Sequence, residues 1–216
     1  RVIPQWQDMM VYAVEGSNHE KRLEPLASPV TFRQILSHTA GLSYGNGRHP
    51  VDGLYREAGL DRHSDMTLKS FVESLAALPL YFQPGEAWLY SYATDVCGYL
   101  VEALSGRSLG EYLRTEIFEP LEMQDTGFYV PEAKAARLAA NYHRGADKNL
   151  SLIDDPRTSR YLMPPVFESG GGGLVSTSHD YLNFCQMLIG QGSRQDQRIL
   201  SRRTLALMTQ NHLGGH

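Results

Sequence analysis

The apolar residues Leu68, Phe71, Val72, Leu75 and Leu78 recur at steps of three and four, so the segment from Asp65 to Leu78 carries one apolar stripe. Such a stripe is stable only when buried against another element, and it predicts an amphipathic helix on a core. Helical punctuation of the same kind recurs along the chain. Thr31 with Gln34 three residues later has the spacing of a capping box, and Phe32, Ile35 and Leu36 follow it until Thr39-Ala40-Gly41 ends the helix. Val96, Tyr99, Leu100, Ala103 and Leu104 form the apolar face of another helix, which Gly106 stops. Ser108 with Glu111 starts the next, running through Leu109, Tyr112, Leu113 and Ile117 to Pro120. Ser178 is the predicted cap of a helix that buries Leu182, Cys185, Leu188 and Ile189, and a short helix follows Ser201.

Strand patterns are few. Only Gly127 to Val130 and Leu138 to Tyr142 read as short extended pieces, within a stretch from 125 to 165 predicted to be irregular surface. A central sheet of the usual five or so strands is not supported. The 216 residues carry 42% hydrophobic and 20% charged side chains, which predicts a folded globular chain, by default one compact unit. A formal charge of -4 lacks the basic excess that phosphate neutralisation needs, so nucleic acid is set aside as a partner. No apolar stretch approaches the roughly 20 residues of a bilayer span. Cys97 and Cys185 read as small buried hydrophobes, too few for a disulfide scaffold. The first residues show no secretory leader pattern, so localisation, cytoplasmic or periplasmic, stays open, as does oligomeric state.

Gly41-Leu42-Ser43-Tyr44-Gly45 spells the nucleophile elbow G-x-S-x-G of α/β-hydrolases. Its context argues against that role for Ser43, because helical periodicity precedes it and Asn46-Gly47-Arg48-His49-Pro50 is read as unable to begin a helix. An ordinary loop serine after a glycine cap is the competing reading. Eight histidines bring no H-E-x-x-H or C-x-x-C spacing. His63-Ser64-Asp65 and His179-Asp180 read as helix-cap chemistry, and His212 and His216 are separated by two glycines, so neither a metal nor any other cofactor is expected. Gly170 to Gly173 lacks the Lys-Ser/Thr of a phosphate loop and reads as a place of close backbone approach. Tyr90-Ser91-Tyr92 follows the Pro84-Gly85 turn and stands just before a helix, where a tyrosine hydroxyl can be aimed into a cleft, core packing being the commoner fate of a tyrosine in an apolar setting.

In order along the chain stand Thr31 to Leu42 (TFRQILSHTAGL), Pro84-Gly85 with Tyr90-Ser91, Asp95 to Glu102 closing at Ser105-Gly106, and Ile117 to Leu121 with Met123 and Thr126-Gly127-Phe128. Gly171-Gly172-Gly173-Leu174 with Ser176-Thr177 and Asp180, then Leu207-Met208-Thr209, complete the series. Together they resemble the serine β-lactamase and penicillin-binding-protein superfamily, closest to the class C β-lactamase-like branch that includes the family VIII carboxylesterases. The resemblance implies an α+β fold of the β-lactamase/transpeptidase type, with this chain contributing mainly the α-helical lobe and few short strands over residues 1–216.

The family's activity needs a Ser-x-x-Lys nucleophile, a Tyr-x-Asn-like motif and a Lys/His/Trp-x-Gly segment on a strand. The second maps onto Tyr90-Ser91-Tyr92, with Tyr92 in place of asparagine, a departure that leans from β-lactam hydrolysis toward esterase-like members. The first is absent: the lysines 21, 69, 134 and 148 are preceded three residues earlier by Asn18, Met66, Pro131 and Gly145. His212-Leu213-Gly214 spells the third but reads as a decoy. In the family the nucleophile lies N-terminal to a segment like Arg1 to Trp6, so the expectation is a central piece of a two-lobe hydrolase, without the nucleophile segment or the C-terminal strands, and inactive alone. The implied reaction is acyl transfer from a small ester or amide through an acyl-enzyme, with Tyr90 as proton relay. A free phenol titrates near 10 and needs neighbouring positive charge to act near neutral pH. Trp88, Tyr44 and Tyr92 are candidates for an aromatic acyl-binding wall, with core packing the equal alternative. A β-lactamase, a D-amino-acid peptidase or transpeptidase, and a catalytically inactive binding or scaffold module remain as alternatives.

Overall fold

The computed structural model describes residues 2–15, 20–60 and 65–213. A single-turn helix, Pro4–Asp8, leads into β1 (Met10–Glu15), which pairs antiparallel with β2 (Glu20–Pro25) in the register Met10 opposite Pro25. On its other edge β1 bridges Leu80 in parallel, through Tyr12 N to Leu80 O and Leu80 N to Met10 O, both 2.8 Å. Then follow α1 (Phe32–Leu36), α2 (Pro50–Glu57), α3 (Leu68–Ala76), α4 (Ala93–Ser105) and α5 (Leu109–Leu113), whose axis continues as a π-type turn over Arg114–Phe118. The hairpin β3 (Asn141–Arg144) and β4 (Leu150–Asp154), α6 (Ser178–Ile189), the two-residue pair β5 (Ser193–Arg194) and β6 (Gln197–Arg198), and α7 (Arg202–Met208) complete the order. Each sheet among the described residues has two strands.

Where one compact unit was the expectation, the chain divides into two: residues 1–112, 166–172 and 206–216, and residues 113–165 and 173–205. In the first, α1 and α3 pack on α4. The stripe on α3 behaves as its spacing predicts: Leu68, Phe71, Val72 and Leu75 are buried, a gain of roughly 1.5–3 kcal/mol for each such side chain. Trp6 closes that layer, its Nε1 donating to Val72 O at 3.2 Å. Both legs of the predicted Thr31–Gln34 capping box are present, and Gly106 ends α4 at φ +71°. In the second unit Phe118, Leu121, Met123 and Met187 form a separate small core with Ile117, Phe184, Leu188, Ile199 and Leu200 against it. A second core explains the division.

Other expectations also need correction. Cys97 and Cys185 are only partly buried, and Leu104 of the expected apolar face of α4 is 68% exposed. The segment before Pro50 does begin a helix: proline at the first helical position has no amide proton to lose, His49 Nδ1 accepts from Val51 N, and the Asp52 carboxylate accepts from His49 N. Residues 125–165 are not wholly irregular, since they include the β3–β4 hairpin, exposed on both strands. On α6 the cap is Thr177, and the buried residues are Asp180, Asn183 and Met187, whereas Leu182 is 51% and Ile189 80% exposed. Asp180 turns inward because its carboxylate accepts from Asp125 N at 2.7 Å and Thr126 Oγ1 at 2.8 Å.

Candidate functional site

Two irregular segments of the first unit, residues 38–47 after α1 and 80–92 before α4, are laced by backbone hydrogen bonds. Leu89 N donates to His38 O at 2.9 Å, Gly85 N to Thr39 O at 2.7 Å, Tyr81 N to Gly41 O at 2.8 Å and Tyr92 N to Ser43 O at 3.3 Å. The pairing begins where His38, at φ +56°, turns the chain out of α1 in the left-handed region. Gly41 is required here: at φ +82° its Cα lies so near Phe82 that a Cβ would stand 2.5 Å from the Phe82 carbonyl oxygen.

This lacing gathers an aromatic corner. Tyr90 is 55% exposed, and its ring is flanked by His38 at 4.8 Å between centroids, Tyr44 at 5.3 Å edge-on and Trp88 at 6.4 Å stacked. Trp88 is 49% exposed. Of the four residues predicted from sequence, Tyr90, Trp88 and Tyr44 therefore share one exposed corner. Tyr92 does not face it. Its backbone leaves the extended run (φ -61°, ψ 5°), which swings the ring into the core beside Phe71, leaves 6% exposure, and lets its hydroxyl donate to Leu60 O at 3.0 Å. Its edge still meets Tyr44, at 4.7 Å, so it supports the wall from behind.

His38 is the member of this corner that the spacing did not mark. Its Nδ1 lies 3.3 Å from the buried Ser91 Oγ and its Nε2 3.4 Å from Thr94 Oγ1, so both ring nitrogens are tied while the ring packs against Tyr90 in a tilted contact and Trp88 in a T-shaped one. Burial holds its pKa below the ordinary 6.5.

Ser43 is buried a short distance away. Its hydroxyl donates to Asp52 Oδ1 at 2.5 Å and accepts from Gly45 N at 2.9 Å. The fully buried Asp52 also accepts from the Tyr81 hydroxyl and from His49 N. Burial pushes the Asp52 carboxyl up, but the hydrogen bonds from Ser43, Tyr81 and His49 outweigh it and hold the group below the usual carboxylate value. Tyr81 is pushed up to about 12, by burial and then by the carboxylate beside it. No strand leads directly into Ser43, and the turn reaches α2 only at Pro50, so the strand-turn-helix context of an elbow is missing around this buried serine.

The glycine run approaches α4 as its composition predicts. A Cβ on Gly170 would overlap the Thr94 carbonyl oxygen, and Ser169 Oγ and Gly171 N both donate to the buried Asp95 of α4. Elsewhere, Asp180 lies in the first turn of α6, His63 and Ser64 fall outside the described residues, and the exposed His212 bonds Leu207 O at 2.6 Å, with Gly214 also outside them. Among the described residues no three His, Cys, Asp or Glu converge to hold a metal ion, and no helix is long and apolar enough to cross a membrane.

The chain matches the Beta-lactamase family over residues 14–216. It is 36% identical over 193 residues to Protein Rv1367c of Mycobacterium tuberculosis, covering 89% of this chain and 47% of that protein. Esterase EstB of Burkholderia gladioli is 34% identical over 176 residues, 74% of this chain and 43% of EstB. Among solved structures, unliganded selenomethionyl Simvastatin Synthase (LovD) from Aspergillus terreus superposes with a TM-score of 0.76 at 29% identity, covering all of this chain and 50% of that one. The chain thus spans about half the length of the curated relatives it matches. Mostly helical with short two-stranded sheets, it carries the corresponding part of a β-lactamase-like fold and belongs to the beta-lactamase family.

Proposed function

We propose that these residues supply the tyrosine side of an acyl-transfer centre, in which a serine attacks a small ester and an acyl-enzyme forms and is released by water. The observation that carries this reading is the placement of Tyr90: its ring is held by three aromatic neighbours and yet is more than half exposed. In that reaction Tyr90 Oη takes the serine proton as the serine oxygen bonds to the acyl carbon, and delivers it to the departing alkoxide oxygen as that bond breaks. Water then follows the reverse course and frees the acid.

The serine and the amine that makes a phenol reactive near neutral pH lie, on this reading, in polypeptide outside these 216 residues. Supporting it are the lack of any Ser-x-x-Lys in the sequence and the roughly twofold length of the relatives. An ester is favoured over a β-lactam because Tyr92 offers no carboxamide beside Tyr90 and is buried. The name of Esterase EstB points the same way. Trp88 and Tyr44 form the apolar wall for the acyl group.

The test is p-nitrophenyl butyrate hydrolysis. A polypeptide of the relatives' full length turns over, the 216-residue chain alone does not, and Tyr90→Phe in the former lowers kcat by about 10²-fold. An unchanged kcat removes Tyr90 from the chemistry. Turnover by the 216-residue chain that Ser43→Ala abolishes would instead make Ser43 the nucleophile.

A further inference from the structure

Resting on that reading of Tyr90, we infer that His38 is a positioning residue that holds the Tyr90 ring in the one orientation from which its hydroxyl serves the reaction. A tyrosine on the surface has two free torsions, and proton relay requires its oxygen in a fixed place. Tyr44 meets the ring in a T-shaped contact at 5.3 Å, and Trp88 is stacked on it at 6.4 Å. His38, at 4.8 Å and inclined by 53°, is the nearest of the three rings.

His38 is also the neighbour best fixed in place. The imidazole is pinned at its two nitrogens by Ser91 Oγ and Thr94 Oγ1, which flank the turn where the irregular segment carrying Tyr90 passes into α4. Its own backbone is held by the hydrogen bond from Leu89 N, one residue before Tyr90. Ser91 is buried and its Oγ accepts from Ala93 N at 3.4 Å, so the anchor belongs to the N-terminus of α4 and not to solvent. Both ring nitrogens are thus engaged with neutral hydroxyls, and the ring meets Tyr90 in a tilted contact while neither nitrogen is left to accept the phenol proton. That geometry describes a brace. The cost of holding a non-glycine residue at φ +56° is borne where the side chain reaches both the Tyr90 segment and the helix start.

The experiment is a double-mutant cycle in the full-length polypeptide with p-nitrophenyl butyrate, using His38→Ala, His38→Phe and Tyr90→Phe, with melting temperature measured for each protein. His38→Ala is expected to lower kcat about 10-fold with KM within twofold, and His38→Phe, which restores a ring at the same place, to recover most of the loss. In the Tyr90→Phe background His38→Ala is expected to cost nothing further, because the phenol it orients is gone. The inference is overturned if Tyr90→Phe is slow but His38→Ala is not. It is also overturned if His38→Ala costs the same factor in both backgrounds, the mark of a general structural defect. If Tyr90→Phe itself leaves kcat unchanged, the proposed chemistry fails and the inference fails with it. Should His38→Ala not fold, His38→Phe and His38→Gln carry the cycle. The ring variant is then expected to keep kcat and the amide variant to lose it, and the opposite order refutes the brace.

Discussion

Gly170→Ala gives the sharpest structural prediction, because the added methyl group meets backbone. Its Cβ would overlap the Thr94 carbonyl oxygen and stand 2.9 Å from Gly98 N and 3.1 Å from Gly98 Cα. Ordinary van der Waals separation demands a retreat of about 1 Å. The obstacles belong to the helical backbone of α4, so no rotamer change relieves them, and the segment can move away only by straining the Ser169 and Gly171 hydrogen bonds to Asp95. Overpacking of this kind costs about 1–3 kcal/mol, and a rigid obstacle puts this site at the upper end. For a chain of this length each kcal/mol moves the melting temperature by about 2–4 °C, so a drop of about 6–12 °C is expected. Gly53→Ala is the matched control. It lies inside α2 with only Arg56 Nη2 nearby, at 3.9 Å, and should gain about 0.5–1 kcal/mol from helix propensity. Thermal melts followed by far-UV circular dichroism read both. A Gly170→Ala protein melting within about 2 °C of its parent would refute close approach as the reason for glycine there.

Asp52→Asn should destabilise by about 3 kcal/mol in urea unfolding, since its amide can no longer accept from the Ser43 and Tyr81 hydroxyls and His49 N together; wild-type stability would refute the network. His38 and His49 are both held below 6.5 by burial, against a smaller raising pull from Asp52 on His49. Folding therefore favours their neutral forms. The stability they contribute is full above about pH 6.5 and drains as pH falls from there through their folded values. Urea midpoints across pH 5–7.5 should decline at the acid end, and the double variant His38→Gln/His49→Gln should flatten that decline. An unflattened decline would assign it to other groups.

Much of the first unit was legible because its helices are bounded by side chains that act locally. Thr31 and Gln34 satisfy each other's backbone amides within three residues, and Gly106 takes a left-handed angle that only the next turn has to know about. Legibility ended where partners lie far apart in sequence. Nothing near Asp52 announces that Ser43 and Tyr81 donate to it, whereas the start of α2 is local and is hidden by its unusual cap, a histidine in place of Ser, Thr, Asp or Asn. Asp180 and Asn183 occupy the buried side of α6, with Asp180 satisfying an amide 55 and a hydroxyl 54 residues away, so an apolar count points to the wrong face. At the candidate site, Tyr90 and Tyr92 are the same residue type two positions apart, and only the backbone turn at Tyr92 decides which ring is exposed. His38 was read as one letter of a resembling series. Its role rests on two hydroxyls more than fifty residues distant.

The central claim is that the Tyr90 phenol moves the proton during acyl transfer. Stopped-flow acylation of the full-length polypeptide, wild type against Tyr90→Phe, reads that step before any later one can mask it. A p-nitrophenol burst slowed about 10²-fold, with ester binding unchanged, is the predicted result. A burst of equal rate in the two proteins would contradict it.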